Sequence, residues 1–507
     1  MATACADRAG DGLYSISQIR AIEQTALAAL PEGTLMQRAG AAVARAASQQ
    51  LICSSSNARL LVVAGPGNNG GDALEAAARL ACDGYQVSIV MPLMPANASP
   101  EVQRALDKAH QSTARFITAE SLADSDGWDL LIDGLFGIGL TRPLDGVFAA
   151  LAAYMNAQPC PCLAIDVPSG LDADHGTVVG GTSAVAVCAS TTVSFIANKP
   201  GLHTANGRDH AGNIIIDTLE IDASLYPLPL AKLSQPAMFR HLATPRSHAS
   251  HKGSYGDLAV MGGASGMGGA VLLAARMGAM AGAGRVYAGF IEAVPAFDPL
   301  HPELMCRDAD ALALSSGAVV AGPGLGQSRH AHDALARVLA SELPTVLDAD
   351  ALNLIAAEPA LQQKTRLRRA PTLLTPHPLE AARLLGTGAA SIQSDRLGAA
   401  RELAAFFLST VILKGSGTVI ADHDGHLVIN TTGNPALATA GTGDVLSGLC
   451  GALLAQHWPV WEAALAAVWL HGAAADKMVS EGTGPRGLTA GELMPNIRAL
   501  LNQLDSG

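Results

Sequence analysis

One carboxylate in the C-terminal half of the chain stands where a general base could act. Asp444 follows Gly-Thr-Gly at 441–443 and opens an apolar run, which predicts a helix over Val445–Ala455. Glycines at the start of a helix leave backbone N–H groups free to bind phosphate. A carboxylate in that first turn can take a proton from a substrate hydroxyl. Asp also favours first turns through the helix dipole alone, so a purely structural role is the alternative.

Two further polar segments lie upstream of Asp444. Lys414–Thr418 combines a cation with a glycine-rich loop, which suits an anionic ligand. This loop favours the catalytic interpretation of Asp444. His377 lies between two prolines that present it rigidly, and by itself it is as consistent with a structural role as with a ligand contact.

The N-terminal half carries a denser glycine turn. Residues 65–72 read Gly-Pro-Gly-Asn-Asn-Gly-Gly-Asp between a predicted strand and a predicted helix, a pattern that fits neither the dinucleotide fingerprint nor a P-loop. Two later predicted strands end in Asp133 and Asp166, each within glycine-rich sequence. One such Asp is more often a helix cap, but two of them with Asn69 would bring oxygen ligands together over one crevice. Because His and Cys are missing from this set, it predicts a hard cation such as K⁺ or Mg²⁺.

Three motifs in this half resemble those of the NAD(P)H-hydrate epimerase family: GPGNNGGD at 65–72, DGLFGIGL at 133–140 and AIDVPSGLD at 164–172. The resemblance spans roughly residues 14–225 and implies a Rossmann-like fold. It implies that Asp166 contacts the damaged nicotinamide as a catalytic residue and that K⁺ is bound by Asn69, Asp133 and Ser169. The residues implied to bind the hydrated nucleotide are Asn68, Asn69, Gly70, Gly71, Asp72, Gly137, Ile138, Gly139, Leu140, Thr141, Arg142 and Pro143, together with Asp166. The family's glycine after GGD is replaced here by Ala73.

The second half, about residues 245–507, resembles the ADP-dependent NAD(P)H-hydrate dehydratases of the ribokinase-like superfamily. Six motifs occur in order: HKGSYG, GPGLG, LDADALN, TPHPLE, KGSGT and AGTGD. The resemblance implies Mg²⁺ in this half and ADP as co-substrate. It implies nucleotide binding by Lys414, Gly415, Ser416, Gly417, Thr418 and Gly443, and hydrate binding by Ala270, Gly324, His377 and Asp444, with Asp444 catalytic. The family's Tyr-Thr-Gly-Ala around Ala270 keeps only Gly-Ala here, after Met267-Gly268.

Short apolar strands alternate with helical stretches in both halves, which predicts two α/β domains with parallel sheets, one Rossmann-like and one ribokinase-like. The pattern lapses over 221–244, where prolines cluster, so we expect a linker there and domains at 1–228 and 235–507. Near the start of the chain, Ser17 is predicted to cap one helix, and Thr34 with Gln37 a second.

Composition narrows the partners. Of the 507 residues 49% are hydrophobic and 15% charged, and the net charge is −12 without a basic cluster, so neither nucleic acid nor a membrane is an expected partner. The eight cysteines include no CxxC pair and the first residues lack a signal-peptide pattern, which favours the cytoplasm. We also expect a homo-oligomer.

Both halves point to one metabolite class. The first domain is expected to interconvert the R and S epimers of hydrated NADH and NADPH (NADHX and NADPHX), and the second to dehydrate the S epimer with ADP, releasing AMP and phosphate. The rival enzyme is a vitamin or sugar kinase with a nucleotide-binding regulatory domain. The non-enzymatic rival is a scaffold whose pockets only bind nucleotide, and the intact acids at 133, 166 and 444 argue against it.

Overall fold

A computed structural model describes residues 12–51, 57–93, 98–124 and 127–504. The chain divides into two compact units, Met1–Lys232 and Leu233–Gly507. The N-terminal stretch examined for a signal peptide, and Cys5 and Cys53, lie outside the described residues. No helix within the described ranges is long and apolar enough to cross a membrane.

The first unit is built on a parallel sheet with helices between its strands. Its strands are β1 (Gly12–Leu13), β2 (Arg59–Ala64), β3 (Gln86–Val90), β4 (Arg115–Ile117), β5 (Leu130–Gly134), β6 (Cys162–Ile165), β7 (Thr191–Phe195) and β8 (Asn213–Asp217). Its helices are α1 (Ile16–Leu27), α2 (Thr34–Gln50), α3 (Asn68–Cys82), α4 (Pro100–Gln111), α5 (Gly146–Asn156) and α6 (Gly207–His210). The short strands β2, β5 and β6 are almost fully buried, as expected for apolar strands covered on both faces.

The order of these strands locates a ligand crevice. The seven-stranded sheet runs β4-β3-β2-β5-β6-β7-β8, and every neighbouring pair is parallel. The chain builds outward from β2 to β4 and then returns to lay β5 on the other side of β2. Ligands of open parallel sheets bind at such a switch point, beyond the carboxyl ends of the two strands. Gly65 and Leu135 follow β2 and β5 there.

Both predicted helix caps near the chain start are wrong. The cap of α1 is Ser15, whose hydroxyl accepts from the Gln18 amide while the Gln18 side chain accepts from the Ser15 amide. The sequence offered two serines, and only Ser15 has the extended backbone that a capping residue needs. Helix α2 starts after Gly33, which has a positive φ and no side chain, and Thr34 instead donates to the Pro31 carbonyl.

The second unit contains another largely parallel sheet. Its strands are β10 (Asp257–Gly262), β11 (Arg285–Phe290), β12 (Met305–Asp308), β13 (Ala318–Ala321), β14 (Thr345–Leu347), β15 (Thr372–Leu374), β16 (Thr410–Leu413), β17 (Val419–Ala421) and β18 (Leu427–Ile429). Its helices are α7 (Gly268–Met280), α8 (Arg329–Ala340), α9 (Ala349–Ala357), α10 (Pro359–Arg366), α11 (Pro378–Leu385), α12 (Ala389–Ser394), α13 (Arg396–Phe407), α14 (Thr442–Ala455), α15 (Val460–Ser480) and α16 (Ala490–Leu504).

Strand order in this unit again places a switch point, here between β10 and β13. From that pair the strands continue as β11-β12 on one side and as β14-β15-β16-β17-β18 on the other. The pairs from β12 to β16 are parallel, whereas β16, β17 and β18 pair antiparallel, which the sequence did not predict. The α/β class with two domains is confirmed.

Helices α7 and α14 lie side by side and parallel. Gly448 packs so closely on α7 that a Cβ there would overlap the Ala274 carbonyl. Two turns further along, Gln456 donates to the Ala281 carbonyl at 3.0 Å. Advancing along both helices in the same direction keeps them in contact, so the N-termini of α7 and α14 lie at the same level of the fold.

The predicted linker at 221–244 contains the boundary between the units, and it is structured. Within 221–244 the chain forms β9 (Ala231–Leu233), whose first two residues pair antiparallel with β1. Phe239 is fully buried in the core of the second unit. The boundary between the units falls between Lys232 and Leu233, inside the interval that separates the expected domains 1–228 and 235–507. Proline-rich sequence here indicates packed irregular backbone.

Candidate active sites

The glycine turn after β2 forms the floor of the first site. A Cβ at Gly65 would overlap the Leu135 carbonyl after β5, and one at Gly70 would overlap the Gly65 carbonyl. Gly71 packs against the Met36 side chain of α2. These glycines therefore let the start of α3 close onto the ends of two strands. Gly70 and Gly71, which the resemblance implies bind the nucleotide, are both buried in this packing.

Asp133 and Ser169 join the loops that follow β5 and β6. Both side chains are fully buried, and the Ser169 hydroxyl donates to Asp133 Oδ1 at 2.7 Å. The same hydroxyl accepts from the Phe136 amide at 2.9 Å and lies 3.0 Å from the Phe136 carbonyl. Burial raises the pKa of Asp133 to about 6, although hydrogen bonds from Ser169 and Leu135 oppose the shift. No cation contributes to that balance.

This oxygen cluster suits a hard monovalent cation. Carboxylate, hydroxyl and carbonyl oxygens of Asp133, Ser169 and Phe136 converge, and nothing softer joins them. Asn69 brings its amide to the same region: Nδ2 is buried without a hydrogen-bond partner, and Oδ1 lies 3.0 Å from where a Cβ of Gly137 would sit. Amide nitrogen and oxygen can be exchanged by a side-chain flip, which would aim the oxygen at the unfilled position. The donor set fits K⁺.

Asp166 follows β6 in a left-handed conformation, with φ of +66°. Its Oδ1 lies 2.8 Å from the ammonium of Lys199 and accepts from the Phe195 amide at 3.1 Å. Its Oδ2 points towards Gly137, 3.3 Å from where a Cβ would be. The carboxylate is thus anchored through one oxygen and presents the other to the crevice at the switch point. The sequence analysis assigned no site role to Lys199.

A cavity of about 510 Å³ opens at this crevice. The predicted nucleotide-binding residues that line it are Asn68, Asn69, Asp72, Gly137, Ile138, Gly139, Leu140 and Asp166. The structure does not place Thr141, Arg142 and Pro143 in its wall; they lie exposed beyond the loop. Residues that the sequence did not single out also line it, notably Arg20 and Glu23 of α1 and Glu101 of α4. Only the amphipathic pattern of those helices could have indicated them.

The cavity is acidic. Burial and the neighbouring charges of Asp166, Glu23, Glu101 and Glu75 raise the pKa of Asp72 well above its ordinary value. Burial and Asp166 also raise the pKa of Glu23. Carboxyl groups held together in this way share protons, because a second charge is costly beside the first. The site can therefore hold both a proton donor and a proton acceptor.

The departure at Ala73 leaves the cavity unobstructed. Its side chain is fully buried in the core and faces Gly134 at the end of β5. A Cβ on Gly134 would overlap the Ala73 methyl, so glycine at one position accommodates alanine at the other. The methyl group is directed into the packing between α3 and β5.

In the second unit, Lys414 lies within a group of acids. Its ammonium is 2.8 Å from Asp348 Oδ1 and 3.9 Å from Glu380 Oε2. Burial lowers the pKa of Lys414, but the charges of Asp348, Glu380 and Asp444 outweigh it and leave the pKa raised. A position for Cβ on Gly443 is 3.5 Å from the same ammonium. The structure thus brings the predicted Lys414, Gly443 and Asp444 together.

Asp444 lies in the first turn of α14, as predicted, and is partly buried. Burial and the charges of Asp348 and Asp350 raise its pKa to about 6, while Lys414 opposes the shift. A pKa of that size suits a base that must be ionised near neutral pH yet accept a proton readily. From the neighbouring helix, His471 of α15 bonds to the Thr442 backbone, and burial lowers its pKa to about 4.

Ala270 and Gly324 also meet, as the resemblance implied. Gly324 has a φ of +56°, and a Cβ there would lie 3.3 Å from the Ala270 Cβ. The Gly324 carbonyl accepts from the Ala264 amide at 2.7 Å, which ties the loops after β10 and β13 together. Ala270 is in the first turn of α7 and therefore level with Asp444 at the start of α14. Met267 precedes that turn and is exposed.

His377 has a structural role that the sequence left open. Its Nδ1 accepts from the amides of Leu379 and Glu380, so it caps α11, and its own amide donates to Glu380 Oε2 at 2.7 Å. Burial and Lys414 lower the pKa of this imidazole. The side chain of His377 is nearly half exposed, and its Nε2 lies 3.2 Å from Glu380 Oε1. The hydrogen bonds of His377 are those of a helix cap beside the acid cluster.

Arg396 supports the predicted nucleotide loop from behind, and it was not among the residues predicted from the sequence. This arginine is almost fully buried, and its guanidinium donates to the carbonyls of Leu413 and Lys414, each at 3.2 Å. Gly415, at φ +136°, leaves room for it. Gly415 and Ser416 are exposed, while Thr418 donates to the Gly415 carbonyl. The loop 414–418 therefore presents an ordered backbone to solvent.

One quoted motif lies away from this site. Lys252–Tyr255 forms a short 3-10 helix before β10, and Gly256 packs against the Ala455 carbonyl at the C-terminal end of α14. Asp444 lies at the opposite end of that helix. The HKGSYG segment thus supports the amino ends of the strands and has no contact with the acid cluster.

Both halves of the chain match known protein families. Residues 258–498 match the family described as NAD(P)H-hydrate dehydratase, and residues 32–201 match that described as YjeF-related protein N-terminus. A bifunctional NAD(P)H-hydrate repair enzyme Nnr of Coxiella burnetii is 38% identical over 503 residues, covering 97% of this chain and 99% of that protein. An ADP-dependent (S)-NAD(P)H-hydrate dehydratase of Neisseria meningitidis is 46% identical over 273 residues, covering 52% of this chain and 92% of that protein.

A solved structure is similar to the second unit. The crystal structure of an ADP/ATP-dependent NAD(P)H-hydrate dehydratase from Bacillus subtilis, co-crystallized with ATP and Mg²⁺, is 36% identical. The match covers 53% of this chain and 97% of the Bacillus subtilis chain, with a TM-score of 0.48. The resemblance noted from the motifs is confirmed by the full-length relative in particular. The chain belongs to the family of bifunctional NAD(P)H-hydrate repair enzymes.

Proposed function

We propose that the two units act on one damaged metabolite. The first interconverts the R and S epimers of hydrated NADH and NADPH, and the second dehydrates the S epimer with ADP. The observation that carries the proposal is the placement of Asp444. A carboxylate with a raised pKa lies at the N-terminus of α14, beside Lys414 and level with the start of α7. That is an arrangement for deprotonating a hydroxyl next to a phosphate site.

In the second unit, Asp444 takes the proton of the substrate's C6 hydroxyl as its oxygen attacks the β-phosphorus of ADP, and AMP leaves. Phosphate then leaves this ester with the electron pair of the C6–O bond, and loss of a proton from C5 restores the dihydronicotinamide. Phosphorylation converts hydroxide, a poor leaving group, into a good one. The start of α14 offers backbone N–H groups to the transferred phosphoryl group. The loop 414–418 and Gly443 hold the adenine nucleotide.

Mg²⁺ would accompany the nucleotide in this unit. This ion prefers phosphate and carboxylate oxygens with octahedral geometry. Asp348 and Asp350 face Asp444 and supply carboxylates. Asp348 uses Oδ1 for Lys414, and Asp350 uses Oδ2 to accept from the Gly326 amide, so each has a second oxygen for an ion. The ion would neutralise phosphate charge during the transfer.

In the first unit, Asp166 takes the proton of the C6 hydroxyl of the bound hydrate as the C6–N1 bond breaks, which leaves an aldehyde at C6 and a proton on N1. Attack of N1 on the other face of the aldehyde re-forms the bond, returns the proton to the C6 oxygen and gives the opposite epimer. The Asp166 Oδ2 lies beside Gly137 in the wall of the cavity that Asn68, Asn69 and Asp72 also line. K⁺ would be held by Asn69, Asp133 and Ser169, where it offsets the buried charge of Asp133 and fixes the loops that form the cavity wall. His377, Ala270 and Gly324 are assigned to hydrate binding in the other unit.

The kinase and scaffold alternatives make different products. A vitamin or sugar kinase would release a stable phosphoester, whereas this enzyme releases phosphate, and a scaffold would turn nothing over.

We propose that the protein acts in the cytoplasm as a homo-oligomer on small molecules. Light scattering on the purified chain determines the oligomeric state.

The decisive experiment supplies the purified protein with a mixture of R and S NADH hydrate, ADP and Mg²⁺. Conversion of the whole mixture to NADH, measured by the return of the reduced-nicotinamide absorbance, requires both activities. Conversion that stops once the S epimer is consumed shows dehydration without epimerisation. Phosphate released in equal amount to NADH distinguishes dehydration from simple kinase activity. Return of the absorbance without AMP formation would overturn the proposed use of ADP.

A further inference from the structure

Lys199 is an unusual lysine because its side chain is completely buried within the first unit. Its ammonium lies 2.8 Å from Asp166 Oδ1 and donates to Ser194 Oγ at 2.7 Å and to the Phe195 carbonyl at 3.0 Å. The Ala197 carbonyl, at 3.3 Å, is a fourth acceptor, so the three protons of the ammonium are all taken up by groups of the protein itself. Lys199 therefore has no proton to offer a ligand and no path to reach one.

What this arrangement controls is the adjacent carboxylate. Asp166 Oδ1 receives both Lys199 and the Phe195 amide, whereas Oδ2 is directed to Gly137 in the cavity wall. The backbone at Asp166 is left-handed, a conformation that non-glycine residues adopt only where the surroundings hold it. Ser194 and Phe195 belong to the end of β7, so the cation is fixed by a rigid strand.

We infer that Lys199 is a positioning residue for epimerisation: it anchors one oxygen of Asp166 so that the other alone faces the C6 hydroxyl of the bound hydrate. The inference rests on the proposed epimerase function of the first unit. It deepens that function by separating two roles, with the proton exchanged at Asp166 Oδ2 and the geometry set by a cation that never touches the substrate.

The surroundings explain why a cation is needed there. Asp72, Glu23 and Glu101 face the same cavity and add negative charge beside Asp166. Without Lys199, the carboxylate would be buried among like charges with only the Phe195 amide to hold it. Its side chain would then be free to rotate away from the cavity. Such a rotation removes a correctly placed base from the site.

The test compares Lys199→Met with Lys108→Met in the full-length chain, using R-NADH hydrate as the probe. Lys108 is the matched control because it also pairs with a buried carboxylate, Glu75, at 2.9 Å, but outside the cavity that holds Asp166. Lys199→Met is expected to lower the kcat of epimerisation by about 10² or more, since correct placement of a general base supplies about 10²–10⁴ in rate. KM should change little, because Lys199 does not contact the substrate. Thermal unfolding verifies that the first unit is folded.

A double-mutant cycle with Asp166→Asn separates positioning from general damage. If Lys199 acts through Asp166, adding Lys199→Met to Asp166→Asn causes no further loss of the residual rate. Ser194→Ala provides a milder variant that keeps the ion pair while loosening Lys199, and it should lower kcat by a smaller factor with KM unchanged. This variant decides the matter should Lys199→Met fail to fold.

Three outcomes are distinguishable. A wild-type chain without epimerase activity overturns the proposed function itself. An active wild type, with Lys199→Met folded and as fast as Lys108→Met, overturns only the role of Lys199. A further loss of rate in the double variant also overturns it, because Lys199 would then act independently of Asp166.

Discussion

The amide of Ser169 donates a hydrogen bond of 2.8 Å to Oδ2 of Asp133, which lies 36 positions earlier in the chain. With the hydroxyl bond to Oδ1, this makes Asp133 the link between the loops after β5 and β6. The cavity wall near Gly137 and Asp166 is built from those same loops. The proposed cation site and the proposed epimerase site therefore share the same two loops, so a change at one site alters the other.

Replacing Asp133 should uncouple the first unit from K⁺. In Asp133→Ala the only charged ligand is lost, so adding K⁺ should no longer raise the unfolding temperature of this unit or its epimerisation rate. In the wild type, exchanging K⁺ for tetramethylammonium should lower both, because a bulky cation does not fit the cluster. Asp145→Ala is the control, since Asp145 is an exposed acid in the same unit. Equal rates in the two salts would refute the K⁺ site.

Asp444→Asn should abolish most dehydration while sparing the other activities. The amide keeps the shape and a hydrogen bond but cannot accept the proton, so the rate of phosphate release should fall by about 10²–10⁴. ADP affinity should change little, because it is assigned to 414–418 and Gly443, and epimerisation should be unaffected. Loss of all three would indicate a folding defect, and near-normal phosphate release would remove Asp444 from the chemistry.

The pH dependence of dehydration should reflect the pKa of Asp444, which is raised to about 6. The base must be ionised, so the rate should be highest above this value and decline as the pH falls through about 6. An unshifted aspartate, with a pKa of about 3.9, would keep the rate constant down to pH 5. Single-turnover phosphate release between pH 5 and 8 measures the limb, and a profile that is flat down to pH 5 would contradict the assignment.

Arg396→Met should weaken ADP binding without touching ADP. The change leaves the carbonyls of Leu413 and Lys414 without their buried donor, and each unsatisfied group costs about 1–3 kcal/mol. The loop 414–418 then loses its fixed shape, so KM for ADP should rise and the second unit should unfold at lower temperature. Arg401→Met, an exposed arginine on the same helix, is the control and should change neither quantity.

The two units should be separable if the cut follows the structural boundary. A fragment ending at Lys232 keeps β9 paired with β1, whereas one ending at 228 removes that strand. The fragment 1–232 should epimerise without ADP, and 233–507 should dehydrate only the S epimer. Circular dichroism and both assays on each fragment test this. Failure of either fragment to fold alone would show that the units depend on each other.

Strand ends were the most predictable part of this chain. Buried apolar runs followed by Gly, Asn or Asp mark the carboxyl ends of parallel strands, so the strand predicted before 65 and those predicted to end in Asp133 and Asp166 match the ends of β2, β5 and β6 within one residue. The edge strands β4 and β8 were not predicted: β4 has only two apolar residues, and the three consecutive isoleucines of β8 are followed by none of the glycine-rich sequence that marked β2, β5 and β6. The local sequence pattern indicates where a buried strand ends, whereas the position of a strand at the edge of a sheet depends on contacts with other parts of the chain.

Side-chain partners were the least predictable. Lysine and arginine are usually exposed, so nothing local indicated that Lys199 and Arg396 are buried behind the two sites. Their partners come from other strands and loops, and only the folded chain brings them together. His377 shows the converse: its position between prolines was predicted correctly as rigid, but the rigidity belongs to a helix cap.

The parallel alignment of α7 and α14 has an electrostatic consequence. Each helix carries roughly half an elementary positive charge at its N-terminus, and here the two ends lie level with each other. Together they approach a full positive charge that no change of pH can titrate. The charge of Lys414 is largely balanced by Asp348, so the aligned peptide dipoles are a second source of attraction for the phosphoryl group of the proposed reaction. A mutation that tilts either helix would weaken that field even with every polar side chain intact.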